Sequence, residues 1–272
     1  MASNTSSNNY ALITGASMGI GYELAKLFAQ DGYNIIAVAR TQEDLERVAE
    51  EFTSRYGVQV EVIVKDLFGE NSGTELYEEV KRRNLTVDIL VNDAGQGSYG
   101  LFTEQELDKQ INIIHLNIVA LTQLTYHFLK DMLARNSGKI LQLASIASEM
   151  PGPYQAVYHG TKAYVLSFTE SLISEIKDSD VTITALQPGA TDTDFFAKAD
   201  MEQSKIVEDR SKLSDPAKVA KDGYDALMSG DDKVVSGMKN KMMTAMGNVV
   251  PDTMLADQMK KMQEPVDKSN NK

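Results

Sequence analysis

The chain has 272 residues, enough for one large α/β domain. Its 27 basic against 39 acidic residues, net −12, argue against sequence-independent binding of nucleic acid and against an anionic membrane surface, since both need clustered cations. With no cysteine there is no disulfide or thiol nucleophile, and three scattered histidines (His115, His127, His159) make a poor metal set.

Residues 1–9 are polar and lack the basic and apolar regions of a signal peptide, so they read as a disordered segment. No apolar run approaches the ~18 residues needed to cross a bilayer, and the expected location is cytoplasmic. From residue 10 onward, short apolar runs alternate with helical patterns. The runs are YALIT (10–14), NIIAVA (34–39), VEVIVK (60–65), VDILVN (87–92), KILQLA (139–144) and VTITALQ (181–187), with a shorter DKVVSG (232–237). Helical patterns between near-continuous apolar strands predict βαβ units and a parallel sheet covered on both faces. Ile20, Leu24, Leu27 and Phe28 mark the buried face of the first helix, and two long helices are expected at about 104–135 and 154–177. One domain is expected over 10–237. The tail from 238 to 272 holds seven of the 13 methionines and reads as a helix packed on the body or on a neighbouring subunit.

The first strand runs directly into TGASMGIG (14–21). Glycines allow a sharp turn and close approach of the backbone to a bulky anion, and the N–H groups at the start of the next helix suit a pyrophosphate. Near the middle of the chain stands YHGTK (158–162), with Tyr158 and Lys162 at i and i+4 on one helix face. Use of the phenol as an acid and base near pH 7 requires its pKa to fall by about three units, and a lysine there supplies a positive charge that favours the phenolate. Ser145 ends the fifth strand at its carboxyl end, where ligands bind in open α/β sheets.

Taken together, TGASMGIG, NDAG (92–95), Ser145, YHGTK and PGATDT (188–193), in this order, resemble the short-chain dehydrogenase/reductases over about residues 10–237. The resemblance implies a Rossmann-type doubly wound sheet of seven strands and hydride transfer between a nicotinamide and a carbonyl or secondary alcohol. It implies catalytic roles for Tyr158 (acid and base), Lys162 (also holding the ribose hydroxyls), Ser145 (on the substrate oxygen) and Asn117 (a helix kink holding a water linked to Lys162). An exposed polar position is the plain alternative for Asn117. The implied coenzyme site comprises Gly15, Ser17, Met18, Gly19, Ile20, Gly21, Arg40, Asp66, Leu67, Asn92, Ala94, Gly95, Tyr158, Lys162, Pro188, Gly189, Thr191 and Thr193. Within it Asp66 would meet the adenine amino group, unless it is only a helix N-cap. Asn92 would brace the central strands.

The coenzyme expected is NADP(H). Ala39 replaces the acidic residue that suits a free ribose, and Arg40 beside it suits a 2′-phosphate, with Ser17 as a further donor. Asp93 departs from the family's more frequent second Asn. His159, next to Tyr158, points about 100° away and reads as a packing residue. Phe195 and Phe196, with Met150, Pro151 and Tyr154, suggest an apolar substrate pocket under a lid at 190–214. A homodimer or homotetramer is expected from the resemblance. Two competing readings are a dinucleotide-binding regulator without catalysis and an epimerase or dehydratase of the extended relatives. Four intact catalytic positions count against the first, and the glycine spacing against the second.

Overall fold

The computed structural model describes residues 9–247 and 252–266. Residues 1–8 of the expected disordered segment therefore lie outside the described part, and Asn9 already opens the first strand. Seven parallel strands form one sheet: β1 (Asn9–Thr14), β2 (Asn34–Ala39), β3 (Val60–Val64), β4 (Thr86–Asn92), β5 (Gly138–Leu143), β6 (Val181–Gln187) and β7 (Lys233–Val235). Their order is β3-β2-β1-β4-β5-β6-β7, so the chain reverses direction of growth between β1 and β4. A crevice opens there, beyond the carboxyl ends of the strands.

The helices are α1 (Gly19–Gln30), α2 (Gln42–Tyr56), α3 (Ser72–Arg82), α4 (Leu107–Ile114), α5 (Leu121–Ala134), α6 (Ala156–Glu175), α7 (Phe195–Lys198), α8 (Pro216–Ser229), α9 (Met238–Gly247) and α10 (Asp252–Gln263). Strand residues alternate between two cores. Ala11 and Ile13 face Phe28, Phe52 and Leu227 from α1, α2 and α8. Tyr10 and Leu12 face Leu76, Phe128 and Met132 from α3 and α5. Burying each such large side chain contributes about 1.5–3 kcal/mol, which is why uninterrupted apolar runs were readable as central strands.

The helix expected at 104–135 is broken. A 3₁₀ turn (Phe102–Glu104), α4, a π-helical turn (His115–Ala120) and α5 follow one another. The π-turn carries an extra residue per turn and is common at functional sites. Here it seats Asn117, 2 % exposed, against the loop after β4. The Asn117 amide nitrogen donates to the carbonyl of Gln96 at 3.0 Å, and its oxygen accepts from the Gln96 N–H at 3.0 Å.

The tail is two helices rather than one. α10 ends in a short antiparallel bridge between Ser204 and Pro265, and the Val266 N–H donates to the Gln203 carbonyl at 2.8 Å. Among the described residues no helix is long and apolar enough to cross a membrane.

Candidate active site

A cleft of about 730 Å³ runs along the carboxyl ends of the strands, lined by the glycine turn, the ends of β2 to β6, α6 and the tail. Gly15 stands at φ +75°, where a β-carbon is strained, and such a carbon would lie 2.8 Å from Asp93 Oδ2. A β-carbon on Gly21 would lie 2.5 Å from the same oxygen. Both glycines are thus required by the close packing of β4's end against the turn. Thr14, the first residue of the motif, ties the two strands together: its hydroxyl accepts the N–H groups of Asp93 and Ala94, each at 3.1 Å.

Helix α1 has no side-chain cap at Met18. The Asp93 carboxylate instead accepts the Gly21 N–H from across the sheet. Desolvation raises Asp93 to about 7, against the pull of the Lys162 cation and that hydrogen bond. Desolvation also lowers Lys162 to about 8, with Asp93 acting in the opposite sense. The Lys162 ammonium donates to the Leu143 carbonyl at 2.5 Å and lies 5.9 Å from the centre of the Tyr158 ring.

The Tyr158 phenol borders the same cleft. Burial pushes it up to about 12, and a hydrogen bond with Ser145 only partly offsets this. Lys162, lowered to about 8, loses its proton well before a phenol at about 12 does. Ser145 is fixed by its own turn: its hydroxyl accepts the Ala147 N–H at 3.1 Å and reaches the Pro188 carbonyl at 3.4 Å.

Asn117 is no exposed polar residue, and its side chain is committed to protein partners. Besides Gln96 it donates to the Thr161 hydroxyl at 3.0 Å, which in turn donates to the Tyr158 carbonyl at 2.7 Å. Thr161 thus links the π-turn to the Tyr158 helix. Asn92 does not reach the cleft. It is 3 % exposed and donates to Thr125 at 3.1 Å and Gln142 at 3.0 Å, bracing β4, β5 and α5. Asp66 caps no helix; its carboxylate accepts the Phe68 N–H two residues on, at 3.1 Å.

Arg40 lies over the Phe68 ring at 5.3 Å, and among the described residues no carboxylate pairs with it. It lines the cleft together with Ser17, Asp66 and Leu67. Gly15, Met18, Gly19, Ile20, Ala94, Gly95, Pro188, Gly189, Thr191 and Thr193 line it as well, whereas Gly21 packs behind it. A left-handed glycine turn, a guanidinium without a carboxylate partner among the described residues and a buried lysine around one cleft fit a nicotinamide dinucleotide.

On the opposite side the Phe195 ring lies 5.1 Å from that of Tyr158, and Met150 and Phe196 also face the cleft. Pro151 and Tyr154 do not line it. Pro151 is exposed, and Tyr154, held at φ +68°, packs on Tyr99 at 5.6 Å. His159 is buried, with Nδ1 2.8 Å from the Met150 carbonyl, and burial lowers its pKa. Met259, Met262 and Gln263 of the tail border the same space. The sequence singled out the methionines but gave no signal that this tail would reach the cleft.

Residues 9–204 match the sequence profile of the short chain dehydrogenase family. The chain belongs to that family. It is 35% identical over 185 residues to a very-long-chain 3-oxoacyl-CoA reductase of Anas platyrhynchos, covering 66% of this chain and 58% of that protein. The chain thus spans somewhat over half the length of this relative. It is 30% identical to a 3-oxoacyl-[acyl-carrier-protein] reductase of Aquifex aeolicus over 69% of this chain and 75% of that one. The solved L-sorbose reductase of Gluconobacter frateurii, in complex with NADPH and L-sorbose, superposes with a TM-score of 0.73 at 26% identity. That match covers 84% of this chain and 95% of the other. Membership in the short-chain dehydrogenases accounts for the shared order of glycine turn, serine and tyrosine–lysine pair; α9 and α10 lie beyond the matched segment.

Proposed function

We propose that this short-chain dehydrogenase is an NADP(H)-dependent oxidoreductase that interconverts an apolar carbonyl compound and its secondary alcohol. The observation that carries the reading is the convergence of Tyr158, Ser145 and Lys162 on one cleft that also holds the glycine turn and Arg40. The coenzyme, when bound, supplies the hydride that adds to the carbonyl carbon. Tyr158 gives its phenolic proton to the substrate oxygen as negative charge builds there, and Ser145 hydrogen-bonds that oxygen. Lys162 is the residue to hold the ribose hydroxyls and to replace charge near the phenol. Asn117 fixes the loop and helix that position it.

A phenol held at about 12 is protonated throughout the neutral range. That suits reduction, in which Tyr158 must start as the acid. Oxidation needs a phenolate and would gain from rising pH. Arg40 and Ser17 would take the 2′-phosphate, since a planar guanidinium matches phosphate geometry. Asp66 and Leu67 would border the adenine, Thr191 and Thr193 the nicotinamide amide and phosphates. Apolar Phe195, Phe196 and Met150 favour an apolar substrate body.

Self-association through the helices around α4–α5 and α6 is supported by exposed Leu107, Ile111 and Tyr126, with Leu107 and Tyr126 each more than 60% exposed. Such an interface would be twofold symmetric, giving a dimer or a tetramer, which light scattering measures. The direct test of the activity is NADPH consumption with a panel of ketones and aldehydes. Failure to bind NADPH, or to reduce any member, would overturn the reading.

A further inference from the structure

We infer that Lys198, at the end of α7, is a second cation for the coenzyme's 2′-phosphate, and that it reaches this group from the segment that covers the substrate side. This rests on the NADP(H) reading above and adds a binding residue which that reading did not use.

Helix α7 (Phe195–Lys198) is a single turn whose first residue packs on the Tyr158 ring. Its last residue touches the glycine turn instead. Lys198 Nζ lies 3.1 Å from Met18 Sδ, 180 residues back along the chain. A thioether sulfur is only a weak acceptor and brings no charge to balance an ammonium. Among the described residues no carboxylate lies within ion-pair distance of Lys198, which is exposed.

Contact with Met18 brings this ammonium to the end of β2. The N–H groups of Gly15 and Ala16 both donate to the Val38 carbonyl, at 2.8 and 3.2 Å, so the turn is tied to that strand end. Thr14 and Val38 are also partners in the sheet. Met18 follows Ala16 by two residues, and Arg40 follows Val38 by two. The Phe68 ring, 5.3 Å from the Arg40 guanidinium, supports that group from the other side. Arg40 and Lys198 both border the main cleft, and both line a smaller hollow of about 350 Å³ beside it. Lys109 lines the same hollow but is already paired, with Asp200 at 2.5 Å. Among the described residues no acidic side chain lines it.

A chain of 39 acidic and 27 basic residues thus keeps two cations free of carboxylates around one small space. A phosphate monoester carries a charge of about −1.5 to −2 at pH 7, more than one guanidinium balances. Arg40 offers a planar fork of donors and Lys198 a mobile point charge, so the two can share one phosphate without competing for the same geometry. The end of β2 is where a free ribose and a 2′-phosphate are told apart. The pyrophosphate is served by backbone N–H groups at the start of α1 and needs no lysine from another segment. An anionic substrate would place its charge on the Tyr158 side of α7, whereas the Lys198 ammonium stands on the glycine turn.

The test uses the full-length protein and two nucleotides that differ only in the 2′-phosphate, adenosine 2′,5′-bisphosphate and adenosine 5′-monophosphate. Calorimetry gives the Kd of each, independently of turnover. The wild type should bind the bisphosphate about tenfold or more tightly than the monophosphate. Lys198→Met should cut that ratio about fivefold and leave the Kd for the monophosphate within about twofold. Lys198→Arg, which keeps the charge, should restore most of the ratio. In turnover, Lys198→Met should lower kcat/KM for NADPH and spare that for NADH. A ratio that survives intact in Lys198→Met overturns the role of Lys198 and leaves the NADP(H) reading standing. Equal weakening of both nucleotides overturns it as well, because the lysine would then serve the 5′-phosphate. A wild-type ratio near one overturns this inference and the NADP(H) reading together.

Discussion

The coenzyme wall of the cleft, built by β1, α1, β2 and β4, and the substrate wall, built by the 190–214 segment and α10, are held by different forces. In the first, the close contacts run between backbone and short side chains: Thr14 to the N–H groups of Asp93 and Ala94, Asp93 to that of Gly21, and Gly15 in a left-handed turn. In the second, Tyr99, Ser204 and His159 reach across 59 to 164 residues of chain to hold Gln263. The first wall depends on residues whose chemistry leaves a pattern in the sequence. The second depends on side chains that meet only after folding, and it is the wall on which substrate choice is expected to vary.

The sharpest way to separate catalysis from either wall is Tyr158→Phe. It should lower kcat at least a hundredfold while the Kd for NADPH, measured by fluorescence, changes less than threefold. Retention of a tenth of the wild-type rate would remove Tyr158 as proton donor.

The coenzyme wall is tested by its charge. NADPH should exceed NADH at least tenfold in kcat/KM, because a charge-assisted phosphate contact contributes about 1.5–3 kcal/mol. Ala39→Asp with Arg40→Ala should reverse the preference and leave the substrate KM nearly unchanged. Equal use of both coenzymes by the wild type would mean that Arg40 serves only its stack on Phe68.

The substrate wall is probed by Tyr99→Phe, which deletes one anchor of Gln263. Losing one neutral hydrogen bond is worth about 0.5–1.5 kcal/mol, so KM for the preferred ketone should rise roughly three- to tenfold with kcat and the NADPH Kd little altered. A rise in the coenzyme Kd instead would show that the two walls are coupled.

The smallest effect expected is on stability, from Asp93. Its folded-state value near 7 lies above the ordinary carboxylate value of about 4, so the folded chain holds this proton more tightly than the unfolded chain. Asp93 therefore costs no stability below about pH 4, costs progressively more up to pH 7, and costs its full amount above that. Asp93→Asn mimics the protonated form and should melt about 2–4 °C higher than wild type at pH 8, for each kcal/mol recovered, with the difference vanishing near pH 4. A difference that does not change with pH would mean that the carboxylate is ionised in the folded state at every pH tested.

The sheet, the cleft's position and most of its lining were legible in the sequence because each rests on a local rule. Apolar strands buried on both faces, a glycine turn at the first βα junction and a tyrosine–lysine pair at i, i+4 all mark themselves within a few residues. Asn92 and Asn117 show the limit of that legibility. Both were singled out, yet whether an amide faces a cleft or braces two elements depends on residues far along the chain: Thr125 and Gln142 for one, Gln96 and Thr161 for the other. Asp93 was read as a minor departure and proves to cap α1 from another strand.

By itself the sequence determined the parallel α/β architecture and the family, and it singled out the Tyr158–Lys162 pair, because periodicity and motif spacing are properties of the local chain. Tertiary structure decided the rest. It set the acidity of Tyr158, which follows from how deeply the phenol is desolvated and from its hydrogen bond with Ser145. It also brought the last described helix to the cleft, where a distant glutamine meets the histidine beside Tyr158. Burial and long-range contact are sums over the whole fold, and no short stretch of sequence contains them.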